Sequence, residues 1–217
     1  MDSPTQKDQF DSLRRLMVQR QLRERGIRDE RLLEAMERVP RHEFVDRSKW
    51  DEAYSDHPVP IGSGQTVSQP FIVAEMLRLA ELKPMDVVLE VGAGSGYEAA
   101  ILAEMVSQIY TVERHSDLAA TAREILSRLG YSNVMVVTGD GSLGLPEFAP
   151  FDAIIVAAAA PRIPEPLFKQ LKEGGRLVIP IGAPEMQILE VVRKTDGDPV
   201  VTPYGRCSFV PLIGAGF

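Results

Sequence analysis

One stretch narrows the possible folds of this 217-residue chain more than any other: the apolar run Val87 to Val91 passes directly into Gly92, Gly94 and Gly96 and then into a helical pattern. Glycines there let the backbone turn tightly and approach a ligand at the carboxyl end of a strand, where open α/β sheets bind their ligands. The rhythm repeats. Further strand-like runs at 109–112, 134–137, 153–156 and 176–179 alternate with amphipathic helical segments, which implies a parallel sheet. One helix is read as capped by Ser116, carrying Leu118, Ala122, Ile125, Leu126 and Leu129 on a face and closing at Gly130. Past Gly182 the pattern changes: runs at 186–193 and 208–213, separated by Asp196-Gly197, read as strands of an antiparallel hairpin.

Upstream of the glycine run, residues 8–25 look helical and stop at Gly26, and Asp29 can cap a second helix whose Leu32, Leu33, Met36 and Val39 share a face before Pro40. The segment PVPIGSGQTVSQP, residues 58–70, has neither helical nor strand periodicity and reads as an ordered loop, followed by a helix over 71–82. The expected architecture is α/β: a three-layer, doubly wound, mostly parallel Rossmann-like sheet with a C-terminal antiparallel hairpin. Residues 1–57 form an N-terminal helical extension packed on the core, and 58–217 a ligand-binding catalytic domain.

Composition closes some routes. A net charge of −7 leaves no overall positive field to gather phosphate backbones or anionic lipid. Neither nucleic acid nor a membrane is therefore expected as a partner. The single cysteine, Cys207, permits no internal disulfide, and His42, His57 and His115 lack metal-ligand spacing, so no metal is expected. The longest apolar run, 153–160, is too short to span a bilayer, and no stretch resembles a signal peptide. The expected compartment is the cytoplasm.

The chemistry-bearing residues cluster at strand ends. The spacing GxGxG departs from the dinucleotide fingerprint GxGxxG, which weakens a nicotinamide reading. Glu113 ends the second strand, 21 positions after Gly92, where a carboxylate can accept hydrogen bonds from both ribose hydroxyls; the alternative is a cap for the following loop. Asp140 after the third strand can accept from an adenine amino group, or form a plain Asp-Gly turn with Gly141.

Together the glycine loop, Glu113 and Asp140 resemble the cofactor site of S-adenosylmethionine-dependent methyltransferases. Within that superfamily the chain resembles the protein-L-isoaspartate O-methyltransferases, through GSGQTVSQP, VLEVGAGSGY, AAAAPRIPEPLFKQLKEGGRLVIPIG and FVPL in that order. The resemblance covers residues 17–212. It implies S-adenosylmethionine as cofactor, S-adenosylhomocysteine as product, and methyl transfer to the free α-carboxyl of L-isoaspartyl residues in damaged proteins and peptides by a repair enzyme; a monomer is expected. It assigns the active-site serine to Ser68, and places Val67, Ser68, Gln69, Gly92, Ala93, Gly94, Glu113, Asp140 and Gly141 at the cofactor. Ser68, Ala158 and Ala159 fall at the substrate. Departures stand at Ala93, where relatives often carry Thr, at Glu98, where Gln is common, and at Cys207-Ser208, where an apolar residue and Arg often appear. The cofactor half of the pattern is shared by methyltransferases of small molecules or RNA, and by non-catalytic cofactor-binding proteins, so those remain alternatives.

Overall fold

The computed structural model describes residues 6–217, so residues 1–5 of the expected extension lie outside the described residues. Five strands, β3 (Val87–Val91), β4 (Gln108–Glu113), β5 (Val134–Thr138), β6 (Phe151–Val156) and β7 (Leu171–Ala183), run parallel. Two more, β8 (Met186–Thr195) and β9 (Asp198–Cys207), add antiparallel, giving the order β5-β4-β3-β6-β7-β8-β9. The chain starts the parallel sheet at β3, builds outward through β4 and β5, then returns to the other side of β3 with β6. A crevice therefore opens beyond the carboxyl ends of β3 and β6, at the reversal of strand order.

Why these runs form central strands is visible in their side chains. Val88, Ala153, Ile155 and Val178 join one buried cluster, while Leu89, Val91, Ile154, Val156, Leu177 and Ile179 join a second. Alternate residues thus enter opposite faces, and because both faces are covered the strands are mainly apolar, with Glu90 on β3 and Thr111 on β4 as buried exceptions. The first cluster also takes Leu22, Leu33 and Met36 from the N-terminal helices, and Met76, Leu77 and Ile101 from α3 (Pro70–Leu79) and α4 (Tyr97–Ala103). These N-terminal side chains therefore share the cluster on one face of the sheet.

Helix α1 (Gln6–Met17) continues as a π-helical turn, Val18–Arg23, and the chain leaves it at Gly26 with φ of 101°. Asp29 caps α2 (Glu30–Arg38) as expected, accepting from the Leu32 N–H at 3.3 Å. Four expectations change. Residues 58–70 hold a short antiparallel hairpin, β1 (Val59–Gly62) and β2 (Gln65–Val67), too brief for a period to show. Helix α3 ends at Leu79 rather than 82. Ser116 is the first residue of α5 (Ser116–Arg128) rather than its cap; His115 holds the cap position, and its N–H is accepted by Glu113. The last strand is 198–207, not 208–213. Pro199 and Pro203 argue against a strand interior, but β9 pairs only with β8 and is an edge, where proline is tolerated.

Candidate active site

A cavity of about 990 Å³ opens at the predicted strand ends, its size at the upper end of ordinary small-molecule sites. Its floor begins with the loop after β3. The Gly92 N–H donates to the Val112 carbonyl at 2.8 Å, and φ of 96° at Gly92 and 52° at Gly94 places both in the left-handed region that side chains avoid. Glu113, 4% exposed, braces this loop: one carboxylate oxygen accepts from the Gly94 N–H and the other from the His115 N–H, each at 2.9 Å. The loop-capping role and a ligand role coexist, since each oxygen keeps acceptor capacity. Gly141 reaches the cavity for a different reason: a Cβ there would lie 2.6 Å from Val91 Cγ1, so only glycine lets this turn close on β3.

Two carboxyl groups that sequence reasoning did not assign lie in the floor. Glu90, on β3, is fully buried, and Glu98, in the first turn of α4, is 7% exposed. Both oxygens of Glu90, Oε1 of Glu98 and the facing Thr111 hydroxyl are buried without a hydrogen-bond partner among the described residues. Burial, and next the charge of Glu98, push the Glu90 carboxyl well above the usual range; burial pushes Glu98 up to about 8. Both shifts favour the protonated forms of the pair. The sequence signals are a charged residue inside the apolar run VLEV and, at Glu98, a glutamate where relatives commonly carry Gln.

The opposite wall is the segment after β2. Val67 is buried, Ser68 half-buried, and Pro70 opens α3 immediately behind them, which fixes where the strand must end. The Ser68 carbonyl accepts from Arg41 Nη2 at 2.8 Å, and the Gln69 amide donates to the Asp56 carbonyl at 3.1 Å. The mouth carries Arg25, Arg114, His115 and Arg206. Arg25 lies 3.6 Å above the Phe71 ring and pairs with Asp56 at 2.8 Å. Acidic groups sit deep and basic groups sit at the rim.

Val67, Ser68, Gln69, Gly92, Ala93, Gly94, Glu113, Gly141 and Ala158 all line this one cavity. Asp140 and Ala159 are not among its lining residues. Asp140 Oδ1 accepts from Ser142 N–H and hydroxyl, at 2.9 and 2.6 Å, while Oδ2 accepts from Ala215 N–H at 2.7 Å. Any adenine contact would share Oδ2 with the C-terminal segment. Ala159 N–H donates to the Val210 carbonyl and its own carbonyl accepts from Leu212, which seats residues 209–213 along the cavity. Gln187 clamps the same segment through both backbone groups of Phe209. The stretch read as a strand is therefore a cavity wall. Cys207 faces the cavity too, with burial pushing its thiol up to about 11, which keeps it protonated.

The family model described as protein-L-isoaspartate(D-aspartate) O-methyltransferase matches residues 13–216. A protein-L-isoaspartate O-methyltransferase of Koribacter versatilis is 58% identical over 198 residues, 91% of this chain and 89% of that protein. One of Methanoculleus marisnigri is 52% identical, over 91% and 90%. A solved protein-L-isoaspartate O-methyltransferase superposes with TM-score 0.84 at 31% identity, over 92% of this chain and 66% of that one. A Plasmodium falciparum structure of the same description, in complex with S-adenosyl-L-homocysteine, gives TM-score 0.81 at 29% identity, over 92% and 98%.

Proposed function

Since the chain belongs to the protein-L-isoaspartate(D-aspartate) O-methyltransferase family, we propose that it methylates the free α-carboxyl of L-isoaspartyl residues in damaged proteins and peptides, using S-adenosylmethionine. The observation that carries this reading is a single cavity joining the glycine loop and Glu113 to the Ser68 segment. The residues present suit that cofactor. Its sulfonium and ammonium groups are cationic, and the Glu90 and Glu98 carboxyl groups lie buried and unpartnered beneath the cavity floor, where a nearby cation would favour their ionised forms. Glu113 retains acceptor capacity for a ribose diol, and Gly92 to Gly94 and Gly141 bring backbone close.

When bound, S-adenosylmethionine supplies an electrophilic methyl group. The protein then has little acid-base work to do, because a peptide α-carboxyl with a reference pKa of about 3.5 is already ionised. Ser68 Oγ donates to one carboxylate oxygen and orients the other for in-line attack, remaining a hydroxyl throughout. The pocket walls exclude water, which otherwise favours the separated charges over the partly neutralised transition state. Arginines at the mouth draw the anionic substrate to a protein that is acidic as a whole.

The same reading treats residues 1–57 as an extension of one catalytic unit spanning 58–217, acting as a cytoplasmic monomer on protein and peptide substrates, without nucleic-acid or membrane partners. Packing of the extension on the sheet cluster supports it, as do the net charge of −7 and the lack, among the described residues, of a helix long and apolar enough to cross a membrane. The deciding experiment compares radiolabelled methyl transfer to an isoaspartyl peptide and to its aspartyl twin. The peptides differ in where the main chain leaves the residue, and misplacement of the carboxylate by about 1 Å can cost ~100-fold. Strong labelling of the isoaspartyl peptide alone is expected; equal labelling of both, or of neither, refutes the assignment.

A further inference from the structure

Arg41 follows Pro40 at the end of the second helical segment and is the largest fully buried side chain among the described residues. Its guanidinium forms no ion pair among them. Instead Nε donates to the Ala53 carbonyl at 2.7 Å and Nη2 to the Ser68 carbonyl at 2.8 Å. The guanidinium carbon lies 4.7 Å from the centre of the Tyr97 ring, which opens α4 directly behind the glycine loop. Nη1 is buried without a partner. Burying a cation with no carboxylate beside it is costly, and a neutral residue would fill the same space more cheaply.

What the charge supplies is a planar fork. Between Ala53 and Ser68 the chain makes an excursion that includes the β1–β2 hairpin, and Arg41 grips one carbonyl at each end of it. Its stacking on Tyr97 references those two points to the helix that carries the cofactor loop. We propose that Arg41 is a positioning residue for methyl transfer, setting the Ser68 hydroxyl relative to the glycine loop by holding the Ser68 carbonyl. This rests on the assignment of Ser68 to the substrate carboxylate. A lysine at 41 keeps the charge but is a point donor and cannot hold both carbonyls in one plane.

The test is a double-mutant cycle with isoaspartyl-peptide methylation as readout, using Arg41→Lys, Ser68→Ala and the double variant, with S-adenosylhomocysteine affinity and melting temperature measured on each. Arg41→Lys is expected to lower kcat/KM by about tenfold or more, while cofactor affinity changes by less than about threefold. In the Ser68→Ala background the same substitution is expected to have no further effect. Wild-type activity in Arg41→Lys, or an equal loss in both backgrounds, overturns the proposal while leaving Ser68 in place. Full activity in Ser68→Ala alone removes the serine from the reaction and the proposal with it. Arg41→Gln, which keeps a planar donor without the charge, is carried in parallel; if neither variant folds, Arg41 serves stability alone and the proposal fails.

Discussion

Replacing Glu98 by glutamine tests whether the buried carboxyl pair holds protons in the folded enzyme. Glu98 is 7% exposed, and burial pushes its carboxyl up to about 8 from an ordinary 4.5. The groups facing the pair are the Thr111 hydroxyl on β4, the Glu113 carboxylate at the end of β4 and, more weakly, the Ala99 backbone N–H on α4. Between these two values the native state binds a proton that the unfolded chain has released, so stability falls as pH rises through that window. At ~1.36 kcal/mol per pH unit, the full span sets an upper bound of about 5 kcal/mol. From pH 5.5 to 7.5 the wild-type protein should lose about 2 to 3 kcal/mol on this account.

An amide at position 98 removes the titration and donates to Glu90, so the loss should shrink. With about 2 to 4 °C of melting temperature per kcal/mol for a chain of this size, Glu98→Gln is expected to melt roughly 5 to 10 °C above wild type near pH 8. Near pH 5 the two should nearly coincide. Differential scanning calorimetry across pH 5 to 8.5 measures this directly, and parallel melting curves for the two proteins would refute the proton assignment. Calorimetric titration in two buffers gives a second reading: wild type should release protons on taking up S-adenosylmethionine near pH 7, and Glu98→Gln should release fewer.

Ser68→Ala should lower methyl transfer on the order of tenfold, the value of one hydrogen bond worth about 1.4 kcal/mol in the transition state, with cofactor affinity little changed; an undiminished rate removes the assignment. Glu113→Ala should weaken S-adenosylhomocysteine binding in calorimetry by more than about tenfold, because two backbone N–H groups lose an acceptor together with the ribose. Asp140→Ala should lower the melting temperature whatever its adenine role, since a turn cap worth about 0.5 to 2 kcal/mol and the tie to Ala215 both disappear. Gly141→Ala pushes a methyl against Val91 and should cost about 1 to 3 kcal/mol in chemical denaturation; a neutral result would mean that this turn shifts freely.

The parts of this fold that could be read from sequence are those whose side chains obey one rule over several residues. Strand β3 comes out at Val87–Val91, the boundaries its apolar run predicts, because a strand covered on both faces admits no other pattern for long. Strand β9 escaped for the converse reason: exposed over nearly its whole length and holding two prolines, it is a strand only because β8 offers hydrogen bonds. The same distinction divides the site. Gly92, Gly94 and Glu113 are legible because the chain itself enforces their places, at strand ends set by the sheet. Glu90 and Glu98 meet only because a strand and a helix fold back on one another across the glycine loop, and Arg41 reaches Ser68 from 27 residues away. Long-range encounters leave no period. The trace they do leave, where they leave one, is an apparent misfit with the local pattern, such as the charge inside VLEV; Arg41, in the polar stretch RHE after Pro40, leaves none. Local inconsistency of this kind carries a stability cost, which a neutral residue would avoid, so such misfits are where function should be sought.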